Sequence, residues 1–307
     1  MQLTQRRATG EDDYWRVRRL LRATWRPGAP WELNWSVVRW DYCRWHGWEN
    51  IEHLRPQDCV YLWEGSDGTI AAVVHPEDRG AVFQQVLPAV RSPDLEEAMI
   101  AVAEQHLAAP IVEGRHRLQI WANEHDGLRQ AALSRRGYRR TGEAEYQRRR
   151  ELAEPVAPVA PPPGFAVRAL RPDELPARSL LSWHVFHPDA PAADYKGWEW
   201  YPNVQRCPLY RRDLDLVAEA PDGTLAAFAT VWFDDVNRHA VFEPVGTGPA
   251  FRRLGLGHAI MTEGLRRAAH LGALTAGVGS YSPRAHALYE SVGFTDYARS
   301  ECWEKVW

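Results

Sequence analysis

Between residues 249 and 258 the chain reads Pro-Ala-Phe-Arg-Arg-Leu-Gly-Leu-Gly-His, the segment most able to hold a reactive ligand. Placed between a strand and a helix, such a loop turns the helix's first unpaired amides and the positive end of its dipole outward. Gly255 and Gly257 let an anion such as a phosphate reach the backbone, and Arg252 and Arg253 add charge. A tight turn carrying two solvated arginines fits the same residues. Two common nucleotide loops do not: the Gly-Lys-Ser/Thr ending is missing, and Ile260 stands where a dinucleotide fold places its third glycine. Metal chemistry has weaker candidates. His184-x-x-His187 has helical spacing without a third ligand, and Cys43-x-x-His46 with His53 and Cys59 matches no common zinc spacing.

The elements around that loop follow from pattern. Residues 214–220 and 224–233 read as strands joined by a Pro-Asp-Gly turn, and 239–245 as a third after the turn Asp234–Asn237. A helix from about Leu256 to Leu271 puts Met261, Leu265 and Ala268 on one face, and Gly272 is placed to end it. A strand over 273–280 follows. Ser282-Pro283 then fits an N-cap and first helical residue of a short helix that Gly293 closes. Strand, helix, strand in this order predicts a right-handed crossover between parallel neighbours, hence an α/β or mixed α+β class.

The chain holds this pattern twice. Asp67–Ala72 matches Asp222–Ala227, Ala81–Gln84 matches Ala240–Glu243, and Gly137-Tyr138 matches Gly293-Phe294, in the same order. Between the copies lies Pro-Val-Ala-Pro-Val-Ala-Pro-Pro-Pro-Gly at 155–164, which proline bars from sheet and helix interiors. The expected layout is one domain over 1–150, a linker over 151–164 and a second domain over 165–307.

Composition narrows the function. The 307 residues are 45% hydrophobic and 25% charged, as in an ordinary globular chain. A net charge of −3 gives no basic footprint for nucleic acid. No apolar run approaches a membrane span, and no apolar core follows the first basic residues, so neither a membrane partner nor a signal peptide is expected. Four cysteines without close pairs predict reduced thiols and a cytoplasmic protein. Tryptophan is the outlier at 15, enough to line a pocket as well as fill a core.

At this point the residues resemble a known family. Arg252-x-x-Gly255-x-Gly257 after a strand looks like the acyl-CoA pyrophosphate loop of the GNAT acetyltransferase superfamily. Ala285-His-Ala-Leu-Tyr289-Glu-Ser-Val-Gly-Phe294 is similar to its second signature, and Glu243-Pro-Val245-x-Thr247-x-Pro249 to the lead-in strand of one branch. The resemblance implies two tandem GNAT-like domains, each a mixed central sheet flanked by helices. It implies an acetyl group passed from acetyl-CoA directly to a primary amine of a small molecule, without a metal. The backbone of Val245 and Thr247 would lie along the pantetheine. The amides of Leu254, Gly255, Leu256, Gly257 and His258, with Arg252 and Arg253, would hold the pyrophosphate. Ser282 stands where the family more often has Asn.

The chemistry needs a free amine and a protonated leaving thiol. Glu243, at the family's usual base position, would take the ammonium proton. Tyr289 would donate to the thiolate with modest tuning, since the reference values are about 8.5 for a thiol and about 10 for tyrosine. A solvent-facing strand carboxylate and a packing aromatic are the plainer readings of the same two residues. The acceptor pocket would draw on Trp183–Arg211, with Trp183, Phe186, Trp198, Trp200, Tyr201 and Tyr210 beside Asp189 and Asp194. Those rings suit a cationic amine, or form that subdomain's core. The first copy has Val90–Glu97 in place of the phosphate loop, three acids and no glycine, and Leu133 in place of Tyr289. It reads as a degenerate domain, and two fused copies suggest a monomer that mimics a dimer, or a homodimer. The rival is a CoA-responsive binding protein without turnover.

Overall fold

The computed structural model describes residues 2–26 and 32–307. The chain forms two compact units: residues 1–146 with 297–307, and residues 147–296.

In the first unit, β1 (Leu3–Arg7) precedes α1 (Glu11–Thr24), α2 (Val37–Tyr42), a π-helical turn over Cys43–Glu52 and α3 (Pro56–Cys59). Then come β2 (Tyr61–Gly65), β3 (Ile70–Asp78), β4 (Ala81–Val86), α4 (Pro93–His106), the short β5 (Ala109–Pro110), β6 (His116–Asn123), α5 (Gly127–Arg135) and β7 (Arg139–Glu151), which from Gln147 onward belongs to the second unit. The second unit repeats the plan. It has β8 (Ala166–Ala169), α6 (Leu175–Phe186), α7 (Tyr201–Gln205), β9 (Asp215–Glu219), β10 (Leu225–Asp234) and β11 (His239–Thr247). It continues with α8 (Leu256–His270), β12 (Thr275–Ser280) and α9 (Pro283–Ser291). The last strand, β13 (Thr295–Val306), belongs from Tyr297 onward to the first unit, where it pairs antiparallel with β6 (Trp303 opposite Ile120).

The predicted mixed α/β class with helix-flanked sheets is present in both units. Within the second, β8, β9, β10 and β11 are successive antiparallel neighbours and β12 joins β11 in parallel. One face packs α8, through Leu256, Ile260, Met261, Leu265 and Ala268, on Ala229, Val231, Ala240 and Phe242. The other carries α6 and α7, with Leu181 and Tyr201 packed on Val217 and Phe228. The proline-rich stretch has no regular structure, and its first part is no free spacer, since Val156 packs on the α8 core.

The strand register corrects one detail of the sequence repeat. Leu87 donates its amide to Ala71, and Gly248 donates its own to Ala226. Val86 opposite Ala72 is therefore equivalent to Thr247 opposite Ala227. A β-bulge accounts for the slip. In the second unit Thr230 faces both Glu243 and Pro244, whereas in the first His75 faces Phe83 alone. Phe83, rather than Gln84, stands where the second unit has its carboxylate.

Candidate functional site

The site grows from two strands that part. β11 and β12 pair only from His239–Thr275 to Val241–Gly277, yet β11 runs on to Thr247 and β12 to Ser280. Antiparallel ladders alternate bonded and non-bonded pairs. With Gly248 bonded to Ala226, Val245 and Thr247 fall on the non-bonded positions of β10. Their N–H and C=O groups turn away from β10, into the gap between β11 and β12. An extended chain with amides of its own could add there as a strand does.

The loop that follows opens onto the N-terminus of α8. Gly255 is the N-cap, with φ +83°, and no side chain caps the helix. Its φ lies in the left-handed region, where a Cβ is strained. Arg253 shares that region at φ +67°. The first amides of α8 have no intrahelical acceptor by geometry, and Arg252, Arg253 and Leu254 are exposed around them. Arg252 reaches back to the Thr247 carbonyl at 3.4 Å. Gly257 serves a different need, since a Cβ there would stand 3.1 Å from Leu288 of α9. The glycine lets α9 approach α8.

α9 starts as the sequence predicts: the Ser282 hydroxyl accepts from the Ala285 amide, with Pro283 next. Tyr289 is buried on this helix. Burial pushes its phenol well above the ordinary tyrosine range, the Glu243 charge pushes it further, and Arg148 opposes both. The shift is thus upward and large in the resting site, where the sequence reading expects modest tuning. The phenol is a firmly protonated hydrogen-bond donor. Glu243, half-buried at the bulge, is electrostatically coupled to it. Proton uptake by Glu243 removes one cause of the rise.

The acceptor segment divides. Tyr201 and Tyr210 both donate to the buried Asp215, at 2.8 and 2.9 Å, and Trp198 and Trp200 pack on the α6 core. Trp183 stacks on His187 at 3.9 Å. Phe186 is exposed and stands edge-on to Phe228, whose ring lies against Gly246. His184, Asp189 and Asp194 are exposed. Sequence reasoning missed Trp232, whose indole nitrogen donates to the Glu243 carbonyl at 2.5 Å, because no spacing signals a bond across a bulge.

The first unit meets the same geometry differently. β4 and β6 pair in parallel only at Ala81–Gln119 and Val82–Ile120. Beyond that point the Asn34 carboxamide donates to the Val86 carbonyl and accepts from the Val86 amide. Asn123 at the end of β6 donates to the Glu32 carbonyl at 3.3 Å. The strand end equivalent to Thr247 is thus taken by the chain itself. α4 is capped by its own Ser92, and Arg91 is held by Glu96 and Asp126, which also engage Arg129. Leu133 matches Tyr289, since Tyr138 bonds back to Leu133 as Phe294 does to Tyr289.

Among the described residues no three His, Cys, Asp or Glu side chains come together as a metal site, and no helix is long and apolar enough to cross a membrane. The four cysteines are free and buried.

Residues 177–294 match the acetyltransferase (GNAT) family. The whole chain is similar in structure to a GCN5-related N-acetyltransferase from Sphaerobacter thermophilus, with 19% identity and a TM-score of 0.68 over 99% of this chain and 95% of that one. It is similar to a tandem GNAT protein from the clavulanic acid biosynthesis pathway, with 15% identity and a TM-score of 0.68 over 99% and 98% of the two chains. A GNAT-family acetyltransferase from Colwellia psychrerythraea gives 14% identity and a TM-score of 0.63 over 98% and 99%. No curated protein matches the chain in sequence. The chain has the GNAT acetyltransferase fold in tandem.

Proposed function

We propose that the second unit transfers the acetyl group of acetyl-CoA to a primary amine of a small molecule. The observation that carries this reading is the joining of the two features an acyl-CoA needs. The backbone of Val245 and Thr247 faces a gap between diverging strands, and that gap leads to the uncapped N-terminus of α8 beside Arg252 and Arg253. Acetyl-CoA supplies an activated thioester carbonyl and a thiol leaving group. The strand backbone would bind the pantetheine amides. The amides of Leu254 to His258 and the two arginines would hold the pyrophosphate, where the helix dipole favours negative charge. Ser282, whose hydroxyl oxygen accepts the α9 cap bond, would still have its O–H to donate to the arm.

Glu243 would take the proton of the acceptor ammonium, directly or through a water, freeing the nitrogen lone pair that forms the amide bond. Tyr289 would donate a hydrogen bond to the sulfur as the carbon–sulfur bond breaks, and the second proton, lost by the nitrogen after attack, would pass by way of the phenol to the departing thiolate, so that Tyr289 ends protonated. Orientation within the cleft would supply much of the rate. The first unit would serve as scaffold, its own chain filling the equivalent place. Four buried free thiols suit a reducing cytoplasm.

Calorimetry with acetyl-CoA tests the binding half, and one site per chain is expected. Thiol release from acetyl-CoA with a panel of tryptamine, spermidine, glucosamine and kanamycin tests the other half. Steady turnover that Glu243→Gln with Tyr289→Phe abolishes supports the enzyme. Binding without turnover would leave a CoA-responsive binding protein, and no binding would leave the fold without this function.

A further inference from the structure

Glu243 stands at the one place on β11 where the ladder to β10 slips. Thr230 faces two residues there, and the second, Pro244, has no amide to give. A bulge leaves its extra residue unpaired and the local backbone free to twist. A base on such a residue has a poorly fixed direction unless something else holds its peptide plane.

That hold is visible. Trp232, fully buried on β10 and opposite Val241, reaches along the strand and donates its indole N–H to the Glu243 carbonyl at 2.5 Å. The indole is braced in turn: the Tyr210 ring meets it edge-on at 6.1 Å, and the Tyr210 hydroxyl donates to Asp215. Asp215 also accepts from Thr230, the residue facing the bulge, at 3.2 Å. One buried carboxylate thus anchors both groups that touch the bulge, Thr230 across the ladder and Trp232 through Tyr210. The first unit has a single Phe83 at this position opposite His75, and no bulge to hold.

We propose that Trp232 is the positioning residue for Glu243: its indole N–H fixes the peptide plane of the bulge and thereby aims the Glu243 carboxylate at the acceptor amine. The inference rests on the reading of Glu243 as the base. It acts on the rate of transfer and not on the cofactor, because Val245 and Thr247 remain tied to β10 by the pairs at Phe228–Gly246 and Ala226–Gly248.

The test is Trp232→Phe, which keeps a ring and removes the donor, assayed with acetyl-CoA and the most active amine of the panel. The expected result is a kcat lowered ten- to a hundredfold with the calorimetric affinity for acetyl-CoA within twofold of the parent. In a Glu243→Gln background the same change is expected to slow transfer no further. A folded Trp232→Phe protein with kcat within twofold of the parent overturns the proposal. So does an equal further loss in the Glu243→Gln background, which would mark a structural role. If Trp232→Phe does not fold, site-specific replacement of Trp232 by its benzothiophene analogue decides the same question at constant shape. Full activity in Glu243→Gln alone would instead overturn the base assignment and this inference with it.

Discussion

Asn34 holds both backbone groups of Val86, donating to its carbonyl at 2.9 Å and accepting from its amide at 2.8 Å. A carboxamide that bonds a strand end in this two-point fashion stands in for one more strand residue, as the amide of an extended ligand would. Val86 corresponds by register to Thr247, so the first unit satisfies internally what the second leaves available.

Removing that side chain should cost stability and not create a binding site. In Asn34→Ala the buried amide and carbonyl of Val86 both lose their partner, a loss of about 1–3 kcal/mol per unsatisfied group. Urea unfolding followed by fluorescence measures it. The number of acetyl-CoA sites should stay at one, because Arg91 remains locked to Glu96 and Asp126 where a pyrophosphate would need it. A second site in the variant would show that the Asn34 plug alone had kept the first unit empty.

The two glycines of the loop should respond differently to alanine. Gly255 has open space around a would-be Cβ, but its φ of +83° strains any side chain. Gly255→Ala is therefore expected to cost about 1–2 kcal/mol in the loop conformation and to weaken acetyl-CoA binding. Gly257→Ala meets only the flexible end of Leu288, at 3.1 Å, and should be mild, whereas Gly257→Trp must push α9 away together with Ser282 and Tyr289. Calorimetric affinities beside melting temperatures for the three variants separate binding from folding.

Much of this was readable before the structure. The loop glycines, the Ser282-Pro283 start of α9 and the βαβ order are local signals, set by backbone freedom, capping and periodicity, and they hold with boundaries within a residue or two. The repeat was legible too, but its register was not. Ala-Val-Phe-Gln and Ala-Val-Phe-Glu look equivalent by letter, while a bulge of one residue moves the carboxylate onto the position of Phe83. The Trp232 bond and the Asn34 plug link residues far apart along the chain or across a bulge, and tertiary packing alone decides them. Tyr289 illustrates a third gap: its residue type suggests a donor, but the upward shift comes from burial and a neighbouring charge.

Arg252 and Arg253 are exposed at the mouth of the α8 terminus, so their contribution should be electrostatic and screened. An exposed ion pair between such an arginine and the pyrophosphate is worth about 0.2–1 kcal/mol. The double change to alanine should weaken acetyl-CoA binding roughly tenfold at 20 mM salt and by a few-fold near 0.5 M, where the Debye length is about 4–5 Å. Titrations at the two salt concentrations give the comparison. An effect independent of salt would mean that the arginines act by shaping the loop.

Stability should fall as the solution is acidified from neutrality, because two buried histidines, His75 and His239, and the half-buried His46 are held neutral. Burial pushes His75 and His239 down to about 3 and His46 to about 4. At His75 the hydrogen bonds agree: Nδ1 lies 3.1 Å from the Pro76 carbonyl, where only a protonated nitrogen can donate, and Nε2 is then free to accept from Gln85 at 3.0 Å. Between about pH 6.5 and these values the unfolded chain binds protons that the folded chain refuses, so folding weakens as pH drops, by about 1.4 kcal/mol per pH unit for each residue. Asp41 works against them. Burial raises its carboxyl to about 6 despite Arg18, so the folded chain binds that proton first and gains stability as pH falls through 6. Asp78, raised by burial and by the Glu77 and Glu52 charges, acts with Asp41, so the net loss toward pH 4 is smaller than the sum for the three imidazoles. Urea unfolding at pH 7, 6, 5 and 4 reads this slope directly. His75→Gln, which keeps a neutral polar side chain at that position, should lower it by about 1.4 kcal/mol per pH unit. A stability that stays flat over this range would mean that the buried imidazoles take up protons in the folded chain.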